Sequence, residues 1–347
     1  MKHTKAVSLA RLCIMASAAV SACRTAPVAF PASSRDASSI PAAPATRMQG
    51  FLGEYGPDSA IRIVLEREGQ LILRRLQGLE VALRETRNDT FASADQPGLR
   101  YVFARDASGR AAQLAVGSAT LSRRALGPES GTQLAVTPVR PMADLRAEAL
   151  AATPPAEAGP FRASDLVELV RLDPTIKLEI RYATSNNLFG TPFYTQPRAF
   201  LQRPAAEALV RANAALRARG YGLLVHDGYR PWSVTKTFWE AAPLDKRIFV
   251  ADPAQGSRHN RGAAVDLTLY DLATGPPVEM PSTYDETTDR AAAEYFGGTS
   301  RQRWLRDLLR HAMEAQRFAV NVNEWWHFDY ADWRQYPIGN VAFEQLR

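Results

Sequence analysis

Two proline-rich stretches divide the chain, and this division constrains its fold more than any other sequence feature. Residues 24–47 are rich in Ala, Pro and Ser, and residues 137–160 form a second Pro-rich stretch whose middle, residues 142–151, has a helical pattern. Such compositions are typical of tethers and linkers. The sequence therefore predicts a disordered tether, a folded segment over residues 48–136, a linker, and a second folded segment over residues 161–347.

The first folded segment has the pattern of short strands. Residues 61–65 (IRIVL) and 71–73 (LIL) are β-prone runs, and Glu68-Gly69 and Ser108-Gly109 are turn signals. This segment contains neither His nor Cys, so it offers no evident catalytic cluster. We predict a small β-rich domain of unknown role over residues 48–136, with a spacer or packing function as the simplest interpretation.

The second folded segment mixes helical and strand patterns. Alternating apolar residues from Ile176 to Tyr182 predict a half-buried strand, and residues 263–269 form an apolar, strand-like run. Helices are predicted after Pro204, after Pro231 and around residues 304–313. The pattern indicates the α+β class, with a largely antiparallel sheet flanked by helices.

Composition excludes some functional classes. The chain has 347 residues, of which 46% are hydrophobic and 22% charged, values that suit a folded protein with a substantial core. The net charge of +6 comes from scattered Arg residues rather than from a basic stripe interleaved with aromatic residues. We therefore predict no nucleic-acid partner.

The N-terminus has the pattern of an export signal. Positive charges at positions 2, 5 and 11 precede a short apolar stretch, residues 12–20, and small residues lead to Cys23. Residues 20–23 (VSAC) resemble a bacterial lipobox, which predicts a lipoprotein signal over residues 1–23 and a membrane anchor through a lipid on Cys23. Arg24 then favours the periplasmic side of the outer membrane. The alternative is a plain signal peptide with a chance cysteine.

Two charged segments inside apolar surroundings suggest a metal site. His259 lies in a polar turn that leads into the apolar run around Asp266, where a carboxylate is costly to bury unless it is paired or bound to a cation. Glu324 and His327 lie in a second, aromatic-rich run. Imidazole and carboxylate groups suit Zn²⁺, and three protein ligands leave a fourth position for water. The alternative is that each histidine is a hydrogen-bonded core residue.

The spacing of these residues resembles a known family. Ser257-x-His259, Asp266 and Glu324-x-x-His327 occur in this order, together with residues 227–231 (DGYRP) and 181–184 (RYAT). These motifs resemble the D-alanyl-D-alanine dipeptidase family of the zinc-dependent D-Ala-D-Ala metallopeptidases, over about residues 166–336. The resemblance implies the fold that this group shares with Hedgehog domains, and it says nothing about residues 50–136.

Carried over residue by residue, the resemblance implies an active site. His259, Asp266 and His327 would bind one zinc ion per chain. Glu324 would be the catalytic carboxylate, and Arg230 would lie close to the scissile carbonyl. The implied reaction is hydrolysis of the D-alanyl-D-alanine dipeptide in cell-wall metabolism.

The resemblance also implies a site for the substrate's free amino group. Tyr182, Ser257 and Asp285 match positions that receive it, and the alternative for Asp285 is that it caps a following helix. His226 departs from the family pattern and is predicted to lie in the core or behind the metal ligands. Two alternatives stay open: a D,D-carboxypeptidase or endopeptidase acting on murein peptides, and a zinc-binding module without catalysis.

One geometric problem accompanies this hypothesis. Glu324 and His327 are three residues apart, and side chains at that spacing point to opposite faces of a regular strand. The two can share a site only if the chain bends or bulges between them, or if Glu324 ends an element.

Overall fold

A computed structural model describes residues 40–75, 78–126 and 136–346. The predicted signal peptide, Cys23 and most of the predicted tether lie outside the described residues. Among the described helices, none is long and apolar enough to cross a membrane. Residues 40–347 form one compact unit.

Eight antiparallel strands follow the short helix α1 (Thr46–Gln49), and each pairs with the next along the chain. We call them together the N-terminal sheet: β1 (Gly53–Tyr55), β2 (Arg62–Arg67), β3 (Gln70–Arg75), β4 (Glu80–Arg87), β5 (Thr90–Ala92), β6 (Tyr101–Arg105), β7 (Ala111–Val116) and β8 (Ala119–Ser122). Tyr55 of β1 also pairs with Arg123, just after β8, and the Gly56 amide donates to the Ser122 carbonyl at 2.9 Å. The two ends of the sheet therefore meet.

The predicted turn at Glu68-Gly69 joins β2 to β3. Both residues have positive φ, 54° and 80°, as a two-residue type I′ hairpin requires. Gly adopts this conformation without strain, so the sequence signal and the backbone agree.

Aromatic side chains fill the interior of the N-terminal sheet. Phe51, Phe91 and Phe103 pack with ring centroids 4.8–5.5 Å apart. The buried Tyr55 hydroxyl donates to the Phe51 carbonyl at 2.7 Å, which satisfies its polar end. This part of the chain thus has an apolar cluster of its own.

The rest of the chain builds a mixed sheet with helices against it. Its elements are α2 (Met142–Ala151), β9 (Leu166–Glu168), α3 (Leu169–Leu172), β10 (Lys177–Leu178), β11 (Phe200–Gln202), α4 (Arg203–Arg217), β12 (Tyr221–Asp227), α5 (Trp232–Ala241), β13 (Ala264–Asp271), α6 (Ser300–Glu314), β14 (Phe318–Asn321) and β15 (Glu324–Tyr330). A five-stranded sheet has the order β10-β12-β13-β15-β14, with only the β10–β12 pair parallel, and β9 pairs with β11 separately.

The predicted mixed fold with antiparallel sheets is confirmed. The Hedgehog-type arrangement, and the status of the N-terminal sheet as a separate domain, stay predictions.

The predicted strand from Ile176 to Tyr182 was wrong in its extent. Only Lys177 and Leu178 pair with β12, and a 3-10 helix follows at Arg181–Ala183. Ile176, Ile180 and Tyr182 are nevertheless buried. The alternation of apolar residues indicates which side of an extended segment faces the core. A segment can bury that side without pairing with a neighbouring strand along its whole length.

The segment predicted as a linker packs against the folded part that follows it. Helix α2 lies against α5 and buries Leu145 and Ala149. The Val136 amide donates to the Leu188 carbonyl at 2.6 Å, and Glu157 accepts a hydrogen bond from Arg261 at 2.6 Å. These contacts fix both ends of the Pro-rich stretch.

Specific contacts join the N-terminal sheet to the segment before α6. Ile61 and Ile63 form a small apolar cluster with Tyr295, whose hydroxyl donates to the buried Glu54 carboxylate at 3.1 Å. The Glu66 carboxylate accepts the first amide of α6, at Ser300, at 2.7 Å. An anion at a helix N-terminus stabilises the exposed amides there. The N-terminal sheet thus supports an element of the second folded part.

Candidate metal centre and active site

Three neighbouring strands place polar residues in one row. Asp227 of β12 lies opposite Asp266 of β13, and Asp266 lies opposite His327 of β15. Paired residues on adjacent strands share a face of the sheet. The β12–β13 register shifts by one residue between Val225 and Asp227, where His226 is the extra residue. This bulge turns Asp227 toward Asp266, which a regular strand would not do.

A second irregularity brings Glu324 and His327 together. Val320 of β14 pairs with Phe328, but the next residue, Asn321, pairs with Glu324. The pairing with β14 therefore skips residues 325–327 of β15 between these two consecutive pairs. The Glu324 Oε2 atom lies 3.8 Å from His327 Nδ1, and Asn321 Nδ2 donates to the same oxygen at 3.0 Å. The predicted bend or bulge is present.

A short turn presents His259 to the same face. Residues His259–Arg261 form a 3-10 helix that ends at Gly262, where φ is 64°. This left-handed conformation favours Gly, and a Cβ atom at Gly262 would lie 2.4 Å from a Leu166 methyl carbon, so a larger residue would also require Leu166 to shift. The His259 amide donates to Ser257 Oγ at 3.2 Å, which makes Ser257 a support of the turn.

Nitrogen and oxygen atoms of His259, Asp266 and His327 converge on one point. His259 Nε2 lies 3.1 Å from His327 Nδ1 and 3.4 Å from Asp266 Oδ1, and the last two atoms are 2.9 Å apart. Ligands at about 2.0–2.1 Å from a tetrahedral zinc ion would be separated by about 3.3 Å. The three buried side chains therefore have the donor types and the spacing of a zinc site.

The outward-facing nitrogens of both histidines are anchored. His259 Nδ1 donates to the Gly228 carbonyl at 2.7 Å, and His327 Nε2 donates to Asp329 Oδ1 at 2.9 Å. With a metal bound, the remaining nitrogens, which face each other, would carry the lone pairs that bind it. Metal-binding histidines are oriented by second hydrogen bonds of this kind.

The electrostatics of the cluster favour a positive charge. Burial alone would lower the pKa of His327, but its bonds to Asp266 and Asp329 hold that pKa well above the usual value. Burial would raise the pKa of Asp266, yet His259 and His327 keep it well below the usual value. A cation among these carboxylates compensates for the cost of burying them.

Arg230 lies beside the cluster in a fixed position. Its Nε and Nη2 atoms donate to Asp227 Oδ2 at 2.9 and 2.7 Å, and Nη2 lies 3.9 Å from Asp266 Oδ2. Tyr194 donates to the other Asp227 oxygen at 2.8 Å. Burial would lower the pKa of Arg230, but Asp227 and the neighbouring acidic groups raise it well above the usual value. The guanidinium group is therefore a permanent cation.

Tyr182 and Asp285 form a pair on another side of the cluster. The Tyr182 hydroxyl donates to Asp285 Oδ2 at 2.9 Å. Burial, with the nearby charges of Asp266 and Glu324, raises the pKa of Asp285 to about 8. The alternative role as a helix cap is not observed, because Thr288 caps the next 3-10 helix. The backbone of Asp285 is in the left-handed region, with a φ of 57°, which an Asp residue tolerates better than most others. Ser257, the third residue predicted to receive the amino group, accepts a hydrogen bond from the His259 amide, and its predicted role stays a prediction.

Comparison with known proteins agrees with this geometry. The profile of the peptidase M15 family, described as D-Ala-D-Ala dipeptidase, matches residues 162–343. The chain belongs to this family. It is therefore a metallopeptidase, and we call residues 162–343 the M15 segment.

Named relatives each match about half of the chain. The chain is similar to proteins named D-alanyl-D-alanine dipeptidase from Escherichia coli (32% identical over 175 residues, 50% of this chain and 89% of the relative), Enterococcus faecium (33% over 186 residues, 48% and 92%) and Enterococcus faecalis (35% over 180 residues, 47% and 89%).

Sequence reasoning missed several supporting residues of the M15 segment. Asp227 was quoted only as part of a motif, yet it holds Arg230. Tyr284 donates to Asp266 Oδ2 at 3.0 Å, and Asp329 orients His327. Asp329 had a detectable signal, because residues two apart on a strand share a face. His226 packs on the Tyr284 ring, with centroids 4.7 Å apart, behind the metal cluster as predicted.

Proposed function

We propose that this M15 peptidase hydrolyses D-alanyl-D-alanine to two molecules of D-alanine, using one zinc ion held by His259, Asp266 and His327. The observation that carries the proposal is the convergence of these three side chains with Glu324 only 3.8 Å from His327. The names of the relatives support the substrate. A zinc ion in such a site lowers the pKa of bound water and polarises a carbonyl group.

Glu324 is the proton carrier in this proposal. Burial raises its pKa above the usual value, against the opposing effects of His327 and His259. Ionised Glu324 accepts a proton from the attacking water and, when the C–N bond breaks, delivers it to the leaving amine. A raised pKa suits both steps near neutral pH, since the group must gain and lose the same proton.

Arg230 is the proposed partner of the oxyanion. Its attachment to Asp227 fixes the guanidinium group before substrate arrives, so no reorganisation is needed when negative charge develops on the carbonyl oxygen. Its position 3.9 Å from Asp266 places this cation next to the proposed ligands.

Asp285 is the proposed selector of short substrates. As an ionised group it would pair with the free ammonium group of a dipeptide, whereas an acylated amine carries no charge and would leave the buried carboxyl protonated and without this ion pair. Its raised pKa means that substrate binding displaces a proton from it near neutral pH. This argument favours a dipeptidase over a carboxypeptidase or endopeptidase on murein peptides.

The test compares hydrolysis of D-Ala-D-Ala, L-Ala-L-Ala and N-acetyl-D-Ala-D-Ala, each with and without a chelator. We expect the free D,D-dipeptide to be cleaved fastest and the chelator to abolish cleavage. Glu324→Gln should lower kcat by about 100-fold or more and retain one zinc ion per chain. Preferred cleavage of the acetylated peptide would show the carboxypeptidase alternative to be correct, and a metal-free, inactive protein would contradict the whole proposal.

We further propose that the protein is exported and anchored through Cys23, at the periplasmic side of the outer membrane. The support is the signal-like sequence of residues 1–23 alone. Cys23→Ala should move the protein from the membrane to the soluble fraction of an expressing Gram-negative cell. An unchanged distribution would contradict lipidation.

A further inference from the structure

The two oxygens of the Asp266 carboxylate have different surroundings. Oδ1 faces the two histidines, 2.9 Å from His327 Nδ1 and 3.4 Å from His259 Nε2. Oδ2 accepts a hydrogen bond from the Tyr284 hydroxyl at 3.0 Å. Arg230 Nη2 also lies on this side, but at 3.9 Å it is beyond hydrogen-bond distance. The bond from Tyr284 therefore opposes rotation of the carboxylate about its Cβ–Cγ bond.

Three other rings fix the direction of the Tyr284 side chain, which is only 4% exposed. The His226 ring packs on it with centroids 4.7 Å apart. Trp326 and Tyr182 meet it edge-on, at 5.6 and 6.5 Å. A buried tyrosine hydroxyl needs a hydrogen-bond partner, and packing on these sides directs this one to Asp266.

The segment that carries Tyr284 is attached to the sheet that carries the proposed metal ligands. Trp325 Nε1 of β15 donates to Ser282 Oγ at 2.8 Å, two residues before Tyr284. Tyr284 itself contacts residues of the adjacent strands β12, β13 and β15. Its hydroxyl is therefore positioned by the sheet before any metal binds.

We propose that Tyr284 is a positioning residue that makes Asp266 bind the metal through one oxygen only. A carboxylate can bind a cation through one oxygen or through both. Binding through both would give four protein atoms on the ion, whereas a catalytic zinc site keeps one of its four positions for water. Because Tyr284 holds Oδ2, that position stays available. This inference rests on the metal site of the proposed function and not on the identity of the peptide substrate.

Hydrogen bonds to ligating carboxylates are a general means of controlling a metal site. Tyr284 differs from the other supports of this cluster in what it controls. Gly228 and Asp329 orient imidazole rings, each of which can offer only one nitrogen to the ion. Asp266 has two possible ligand atoms, so the bond from Tyr284 sets the number of ligands as well as their direction.

The test replaces zinc with Co²⁺, which absorbs visible light more strongly in a four-coordinate site than in a five-coordinate site. Full-length wild type and Tyr284→Phe are titrated with Co²⁺ and compared at one bound ion per chain. We expect the strong absorption of a four-coordinate ion in the wild type. Tyr284→Phe should lose part of this absorption per bound ion, because Asp266 Oδ2 is then free to bind as well.

Tyr270→Phe is the matched control. Tyr270 is a buried residue of β13, the strand of Asp266, and its hydroxyl donates to the Thr175 carbonyl at 2.9 Å instead of to a metal ligand. This variant loses a tyrosine hydroxyl from the same strand and should keep the wild-type spectrum.

An unchanged spectrum in Tyr284→Phe, or an equal loss in Tyr270→Phe, would overturn the proposal and leave the metal site itself standing. A wild type that binds no Co²⁺ would instead refute the metal site, and this inference with it. A crystal structure of the zinc-loaded wild type gives a second measurement that needs no variant. Asp266 Oδ1 should lie about 2.0–2.2 Å from the ion, with Oδ2 still bonded to Tyr284. Both oxygens at bonding distance would also contradict the proposal.

Discussion

Asp285 is the residue at which substrate selection can be tested separately from catalysis. Its carboxylate bonds to Tyr182 and does not contact the converging atoms of the metal cluster. Asp285→Asn keeps the size of the side chain and removes the charge. We expect kcat/KM for free D-Ala-D-Ala to fall by about 30-fold or more, the cost of about 2 kcal/mol for losing one partner of a buried ion pair. The ratio of kcat/KM for the free dipeptide to kcat/KM for the acetylated dipeptide should fall by the same factor.

Tyr182→Phe is the control for this change, because it removes the hydrogen bond to Asp285 and leaves the carboxylate in place. It should lower kcat/KM less and preserve the preference for a free amine. An equal loss of activity on free and acetylated dipeptides in Asp285→Asn would mean that Asp285 has a structural role only.

The burial of His226 predicts that the stability of the folded protein depends on pH. Burial lowers its pKa from 6.5 to about 4, so the unfolded chain binds a proton more readily than the folded chain between these values. Stability is therefore lost as the pH falls from about 6.5 toward 4, by about 3 kcal/mol in total. His226→Phe, which retains a ring against Tyr284, should remove this part of the acid sensitivity.

The measurement is the free energy of unfolding in urea at pH 7, 6, 5 and 4. Both proteins are studied with the metal removed, so that protonation of the metal ligands contributes equally. The wild-type curve should fall more steeply than that of the variant below pH 6.5. Parallel curves would show that His226 becomes protonated without cost in the folded protein.

Residue types alone predicted much of the candidate site. His259, Asp266 and His327 stood out because charged groups interrupted apolar runs, and the structure brings all three together. The role of Asp227 could not be predicted in the same way. It depends on a bulge at His226, and no residue type in that segment distinguishes a bulged strand from a regular one.

At the scale of elements, the two irregular strands explain how a sheet can hold this site. Regular alternation would place Glu324 and His327 on opposite faces, and it would turn Asp227 away from Asp266. Both shifts occur next to the cluster and nowhere else in the five-stranded sheet as described. The sequence predicted the strands and the need for a bend in β15, but it did not predict the register, because register depends on pairing between distant segments.

A substitution of Asn321 can test whether the bulge between β14 and β15 positions Glu324. Its amide holds the Glu324 carboxylate across the shifted register. Asn321→Ala should lower kcat about tenfold, equivalent to about 1.4 kcal/mol of positioning, and leave one zinc ion per chain. The control is Val322→Ala in the same turn, where the side chain is 72% exposed. Loss of zinc in Asn321→Ala would show that the residue supports the metal site rather than Glu324.

At the scale of the whole molecule, composition predicted two folded parts, and the contacts show how they are joined. Helix α2 of the Pro-rich stretch packs against α5, and Tyr295 forms an apolar cluster with Ile61 and Ile63. Contacts of this kind cannot be predicted from a sequence. The pattern of a buried Tyr in a loop, or of an apolar residue in a strand, does not indicate which core that side chain packs into. We infer that the two parts stabilise each other.

Tryptophan fluorescence can test this coupling, because all six tryptophans lie at or after position 232 and therefore report on the M15 segment alone. Ile63→Ala removes a side chain that is 1% exposed, a change that costs about 2–5 kcal/mol in a packed core. If the parts unfold as one unit, the urea midpoint seen by tryptophan fluorescence must fall, although the substitution lies in the N-terminal sheet. Leu79→Ala, at a side chain that is 80% exposed, should leave the midpoint unchanged. A tryptophan transition that Ile63→Ala does not move would mean that the M15 segment folds without help from the sheet. Its activity could then be studied in isolation.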